Sequence, residues 1–150
     1  MNIKELTHPA KLEYYSFMWS EARLVVASLA LFIGGVPPLL AFNPFPGLYS
    51  PLSSLLTLAW IVSGAASAYM LFRWNTSGMK LFGETDQKDK IAFFVSVVSG
   101  INLGLTGLMG KNLGMSIVSG RIIFFVVGLL YLATAWHLWQ RWNAFGKKMF

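Results

Sequence analysis

The chain has no cysteine, which excludes disulfides, zinc–thiolate sites and thioether-linked haem. Charge is also scarce. Asp, Glu, Lys and Arg make up 12% of the 150 residues, against roughly 25% in an average soluble domain. Acid is scarcer still, with six carboxylates against twelve bases, and none of the six falls inside the long apolar stretches. Coupled transport usually draws on intramembrane carboxylates, so a proton- or sodium-driven pump is disfavoured. There are two histidines, His8 and His137, and only His137 lies in an apolar stretch, so one bundle has no pair to hold a haem. A Walker loop, paired histidines at metal spacing and a Gly-x-Ser-x-Gly elbow are all missing. No catalytic residue, cofactor site or metal site can be named from the sequence, and a non-enzyme is expected.

What the chain has instead is apolar length. Hydrophobic residues make up 55% of it, and four stretches match the roughly 20 residues a helix needs to cross the hydrocarbon core: Ala22 to Phe42, Leu52 to Phe72, Ile91 to Met109 and Ile117 to Trp139. The expected fold is an all-α membrane protein with four transmembrane helices arranged as two hairpins. It forms one domain over residues 1–150, since the longest segment between spans, Arg73 to Lys90, is too short for a soluble domain. Topology accounts for the net charge of +6 without nucleic acid. Lys4, Lys11, Arg23, Arg73, Lys80, Lys88, Lys90, Arg141, Lys147 and Lys148 fall on one side, and only Lys111 and Arg121 on the other. Basic residues accumulate in cytoplasmic segments, so both termini and the central loop are expected in the cytoplasm of a multi-pass protein. A bacterial plasma membrane is the expected location, with an organelle membrane as the alternative.

The amino-terminal segment lacks a signal-peptide cleavage site. From Pro9 onward, Leu12, Tyr15, Trp19 and Ala22 recur at helical spacing. The expectation is an amphipathic helix at the headgroup level, with Glu13, Glu21 and Arg23 on its wet side; docking to a partner is the other reading.

Arg73-Trp74-Asn75-Thr76-Ser77-Gly78-Met79-Lys80-Leu81-Phe82 returns as Arg141-Trp142-Asn143-Ala144-Phe145-Gly146-Lys147-Lys148-Met149-Phe150. Arg, Trp, Asn, Gly, Lys and Phe recur at one offset, each time closing a pair of apolar stretches. The pattern is open to a parallel internal repeat with halves 15–82 and 83–150, although few identities survive at that offset elsewhere. Arg73, Trp74, Lys80, Arg141, Trp142, Lys147 and Lys148 are expected to clamp the chain to anionic headgroups.

Several positions inside the spans stand out. Pro37 and Pro38, after Gly34-Gly35, should kink or break the first span. Gly64 and Ala68 in the second, with Ser96, Gly100, Gly104 and Gly107 in the third, form small-residue stripes that admit close helix packing. Asn102 and Thr106 mark a polar face on the third span, where Asn102 needs a hydrogen bond across helices. Ser119-Gly120-Arg121 opens the fourth span with a guanidinium that can reach the outer headgroups. Asp86 is expected to cap the third helix with Asp89 in its first turn, and His137 to bond to a neighbour near the cytoplasmic end.

Two functions fit. One is a non-catalytic structural or assembly subunit that packs against other membrane helices or lipids, with a membrane-protein partner or a second copy of itself. The other is a passive transporter or channel for a small solute or lipid, its path lined by Pro37, Pro38, Asn102, Thr106 and Arg121. The bilayer and its anionic lipids are partners in either case, and nucleic acid in neither.

Overall fold

The computed structural model describes residues 8–117 and 120–150, and among these the chain is helical, with no strand beyond one isolated bridge between Leu81 and Glu84. Lys4 and Ser119, used in the sequence reading, lie outside the described residues. Four long helices dominate: α1 (Pro9–Phe32), α3 (Tyr49–Thr76), α4 (Gln87–Met109) and α6 (Arg121–Ala144). Between them lie the short α2 (Pro38–Ala41), a 3-10 turn (Pro46–Leu48) and the short α5 (Leu113–Ile117). The segments Pro46–Thr76, Gln87–Met109 and Arg121–Ala144 are long and apolar enough to cross a membrane. Large apolar side chains also face outward along them, among them Leu58, Phe72, Val98, Leu108, Ile122 and Trp136. An apolar exterior on long helices is the surface a bilayer solvates.

The first helix departs from the sequence reading. Neither glycine nor proline interrupts residues 10–32, so the expected surface helix and the first part of the expected span form one continuous rod. Glu13, Glu21 and Arg23, expected on a wet side, are each only 7% exposed. The expected span to Phe42 ends at Phe32. Gly34 and Gly35 adopt φ +89° and +86°, a region glycine enters without the Cβ penalty, and the Gly35 amide closes the helix end on Ala30 O at 2.7 Å. Pro38 then starts α2, so the proline pair marks a complete break.

Helix α3 packs along α4, and α1 along α6. The α3–α4 seam is close because glycines meet there. A Cβ built on Gly104 would lie 2.6 Å from Gly64 Cα, and one on Gly107 3.0 Å from Thr57 O. Gly100 lies against the Ser67 side chain, while Ala68 faces outward.

The two copies of the recurring motif share one backbone form. In each, two consecutive residues take positive φ, Gly78 and Met79 in the first and Gly146 and Lys147 in the second. In each, an amide closes back on the tryptophan carbonyl, Met79 N on Trp74 O at 3.0 Å and Lys147 N on Trp142 O at 2.9 Å, which satisfies carbonyls a helix end leaves free. The two tails then meet. Phe82 N donates to Met149 O at 2.8 Å, and each arginine lies over the other tail's last phenylalanine, Arg141 over Phe82 and Arg73 over Phe150. Leu81, Phe82 and Met149 join Phe17, Phe93, Leu138 and Trp142 in the buried core at this end of the bundle.

Candidate ligand cavity

Three ionic contacts tie the helix ends together where the tails meet. Arg73 Nη2 reaches Glu13 Oε2 at 3.1 Å, while the other Glu13 oxygen accepts from the Met149 and Phe150 amides at 3.0 and 3.1 Å. Arg141 pairs with Asp89 at 2.8 Å and with Glu84 at 2.8 Å. Asp89 is fully buried and also bonds His137 Nε2 at 2.7 Å. Asp86 caps α4, accepting from Lys88 N at 3.3 Å, whereas Asp89 turns inward as a structural anchor. Both motif arginines therefore face carboxylates of the bundle, and Trp142, 3% exposed, stacks on Phe17. Trp74 packs edge-on to Phe94. Lys80, Lys147 and Lys148 remain exposed.

Deeper along the bundle lies a cavity of about 600 Å³, within the roughly 300–1,000 Å³ of small-molecule sites. Its walls come from all four long helices and from the break after α1. Val26, Ala27 and Ala30 of α1, Leu56, Ala59 and Trp60 of α3, Leu103 of α4, and Phe124 and Val127 of α6 supply the apolar part, and Gly35, Pro37 and Pro38 close one side. The polar lining is sparse: Arg23, Ser63, Ser99, Asn102, Asn112 and Tyr131.

Arg23 is the central group. Nη1 donates to Ser99 Oγ at 3.0 Å, and Nη2 to Ser96 O at 2.8 Å and Ser96 Oγ at 3.2 Å. All these acceptors are neutral. Among the described residues no carboxylate lies within ion-pair distance of this guanidinium, and its Nε has no hydrogen-bond partner. The buried Glu21, two residues earlier on the same helix, acts on it only through space, and a buried guanidinium without an ion pair is expensive. Trp19 Nε1 donates to Ser63 Oγ at 2.9 Å, and Ser63 donates in turn to Ala59 O at 2.7 Å; both bonds hold the wall beside Arg23.

The residues proposed as a path separate into two groups. Pro37, Pro38 and Asn102 line the cavity. Thr106 is buried and donates to Asn102 O at 2.8 Å, one turn away from the cavity wall. Arg121 is exposed at the start of α6 and is not a lining residue. Asn102 finds its partners locally, in the α4–α5 connection, and not across to another long helix: Nδ2 donates to Asn112 Oδ1 at 2.9 Å and Oδ1 accepts from Gly114 N at 3.0 Å. Sequence reasoning missed Arg23, the charged group that matters most, because beside Glu21 and ahead of an apolar run it reads as a surface residue. A second, shallower hollow of about 520 Å³ lies between α1 and α6, lined by Met18, Glu21, Val25, Leu132, Trp136 and Trp139. Among the described residues no group of three or more His, Cys, Asp and Glu side chains is placed to hold a metal ion. Comparisons with protein-family models, with curated proteins and with solved structures each returned no match.

Proposed function

We propose that the chain is a non-catalytic membrane protein that binds a lipid-like small molecule in the cavity among its four long helices. The observation that carries this reading is the cavity itself, an apolar site with one buried cation whose hydrogen-bond partners are all neutral. The alternative of a purely structural subunit is motivated by small-residue faces awaiting a partner helix. Thr57, Gly64, Gly100, Gly104 and Gly107 instead meet one another or Ser67 within the chain, so that motive is largely used up.

In this reading α1 is the fourth membrane-embedded helix, carried by its neighbours despite its charges. The end bearing the Glu13–Arg73 and Asp89–Arg141 pairs faces the cytoplasm, in keeping with the basic residues gathered there. The bundle is a parallel duplication in which α1 answers to α4 and α3 to α6. Support comes from like residues in like places: Glu13, Phe17 and Ser20 recur as Asp89, Phe93 and Ser96. Phe17 packs on Trp142 as Phe93 packs on Trp74. The correspondence fails at Arg23, which answers to Ser99, and the two meet at the cavity.

The test is ligand recovery. Purified protein is analysed for co-extracted small molecules by mass spectrometry, alongside Ala59→Phe, which fills the cavity, and Ala133→Phe, which is exposed. A small molecule retained by the wild type and Ala133→Phe but lost from Ala59→Phe supports the reading. Equal recovery from a stably folded Ala59→Phe, or no stabilisation of any form by membrane lipid extract, overturns it.

A further inference from the structure

We propose that the cavity takes a single-chain amphiphile with one negative charge, in chemical class a long-chain carboxylate, whose head docks on Arg23 and whose tail lies along the apolar wall. The proposal rests on the binding reading above and specifies its ligand. Arg23 is the only charged side chain among the described residues lining the cavity. Its guanidinium has five N–H groups. The three bonds it makes all go to neutral serine oxygens, and the buried Glu21 of the same helix, which lines the other hollow, acts on it only through space.

Charge balance selects the head. One guanidinium in an apolar surround neutralises one negative charge, so a phosphomonoester carrying nearly two would leave a buried excess. A carboxylate matches the guanidinium in charge and in planar geometry. Volume selects the tail. The cavity, at about 600 Å³, is roughly four times the ~150 Å³ chamber that admits a benzene, which is room for one alkyl chain. Leu56, Ala59 and Val127 offer that chain no polar group. Ser99 and Asn102 stand on the Arg23 side of α4, where a head would need further donors.

The experiment uses the full chain in nanodiscs of zwitterionic lipid, loaded with a fluorescent polyene fatty acid read by energy transfer from the protein's tryptophans. Dodecanoate, dodecanol and dodecyl phosphate compete for it. Dodecanoate should displace the probe at concentrations at least about tenfold below dodecanol, the advantage of a charge-assisted bond over a neutral one, with dodecyl phosphate weaker than dodecanoate. Arg23→Met should bring acid and alcohol to the same midpoint, and Arg23→Lys should preserve part of the difference. Equal displacement by dodecanoate and dodecanol in the wild type overturns the assignment of charge reading to Arg23 while leaving the cavity a binding site. Dodecyl phosphate competing as well as dodecanoate overturns the choice of head. Failure of the probe and all three competitors to bind overturns the binding reading itself. The wild-type comparison decides the matter even where a variant does not fold.

Discussion

Replacing Gly104 with alanine adds one methyl group where α3 and α4 touch, and the structure sets what that methyl group meets. The new carbon would lie 2.6 Å from Gly64 Cα, about 1 Å inside the ~3.5–4.0 Å optimum for two carbons. The obstacle is backbone, so no rotamer change relieves it and the helices must move apart. That movement also loosens the contacts at Gly100 and Gly107 on either side. Overpacking of this kind costs about 1 to 3 kcal/mol, while alanine regains up to about 1 kcal/mol of helix propensity over glycine. The net expectation is a loss of about 1 to 2 kcal/mol. Thermal unfolding in detergent measures it, with Gly47→Ala as the control, since nothing lies within 4 Å of a Cβ there. Gly64→Ala alone should cost a similar amount, and the double variant less than the sum, because one separation of the helices relieves both clashes. A Gly104→Ala protein that melts with the wild type, or singles that add fully, would falsify the close approach of the two backbones.

Two further outcomes are expected. Asp89→Asn replaces the buried carboxylate that Arg141 and His137 share by a neutral amide; both partners are about a third exposed and Arg141 keeps Glu84, so the cost should be about 2 kcal/mol, that of weakened charge-assisted hydrogen bonds; denaturant unfolding checks this, and Glu84→Gln, at an exposed partner of the same arginine, should cost under about 1 kcal/mol. Single cysteines at Ser50, Thr85 and Ser116, placed in a cysteine-free chain, report the orientation: an impermeant thiol reagent applied to intact cells should label Ser50 and Ser116 and spare Thr85, and the reverse pattern would invert the topology.

Much of the helical layout was legible because long apolar runs obey one rule, the thickness of a bilayer. Leu52 to Phe72 and Ile91 to Met109 fall within α3 and α4, and the small-residue stripes named Gly64 and Gly104 before their contact was visible. The first helix was read less well. Its Glu13, Glu21 and Arg23 signal solvent to any local rule; partners 60 to 76 positions away in the chain, Arg73 for Glu13 and Ser96 and Ser99 for Arg23, explain the burial of two of them, while Glu21 Oε1 is buried without a hydrogen-bond partner. The carboxylates that receive Arg73 and Arg141 were hidden for the same reason. Glu13-x-x-x-Phe17-x-x-Ser20 matches Asp89-x-x-x-Phe93-x-x-Ser96, but at a different offset from the Arg-Trp-Asn motif, so a search at one offset sees only half of it. The difference falls between the two matches, where the first half carries the break after Phe32, α2 and the 3-10 turn. The cavity has no linear signature, since its polar groups, Arg23, Ser63, Ser99, Asn102, Asn112 and Tyr131, are spread over all four long helices and the α4–α5 connection.

The placement of Arg23 also constrains how the protein can be assembled. Its hydrogen-bond acceptors lie 73 and 76 residues further along the chain, so α1 leaves the ribosome well before the serines that receive its guanidinium. An arginine near the middle of a lone membrane helix costs about 2.5–3.5 kcal/mol on insertion scales, enough to keep α1 from settling alone in lipid. In the four-helix reading proposed above, insertion of α1 therefore waits for α4. Ser96 and Ser99 would then act as a checkpoint in biogenesis: a chain that loses them should be recognised by quality-control proteases as an incompletely inserted first helix, long before any defect in the finished fold could be measured.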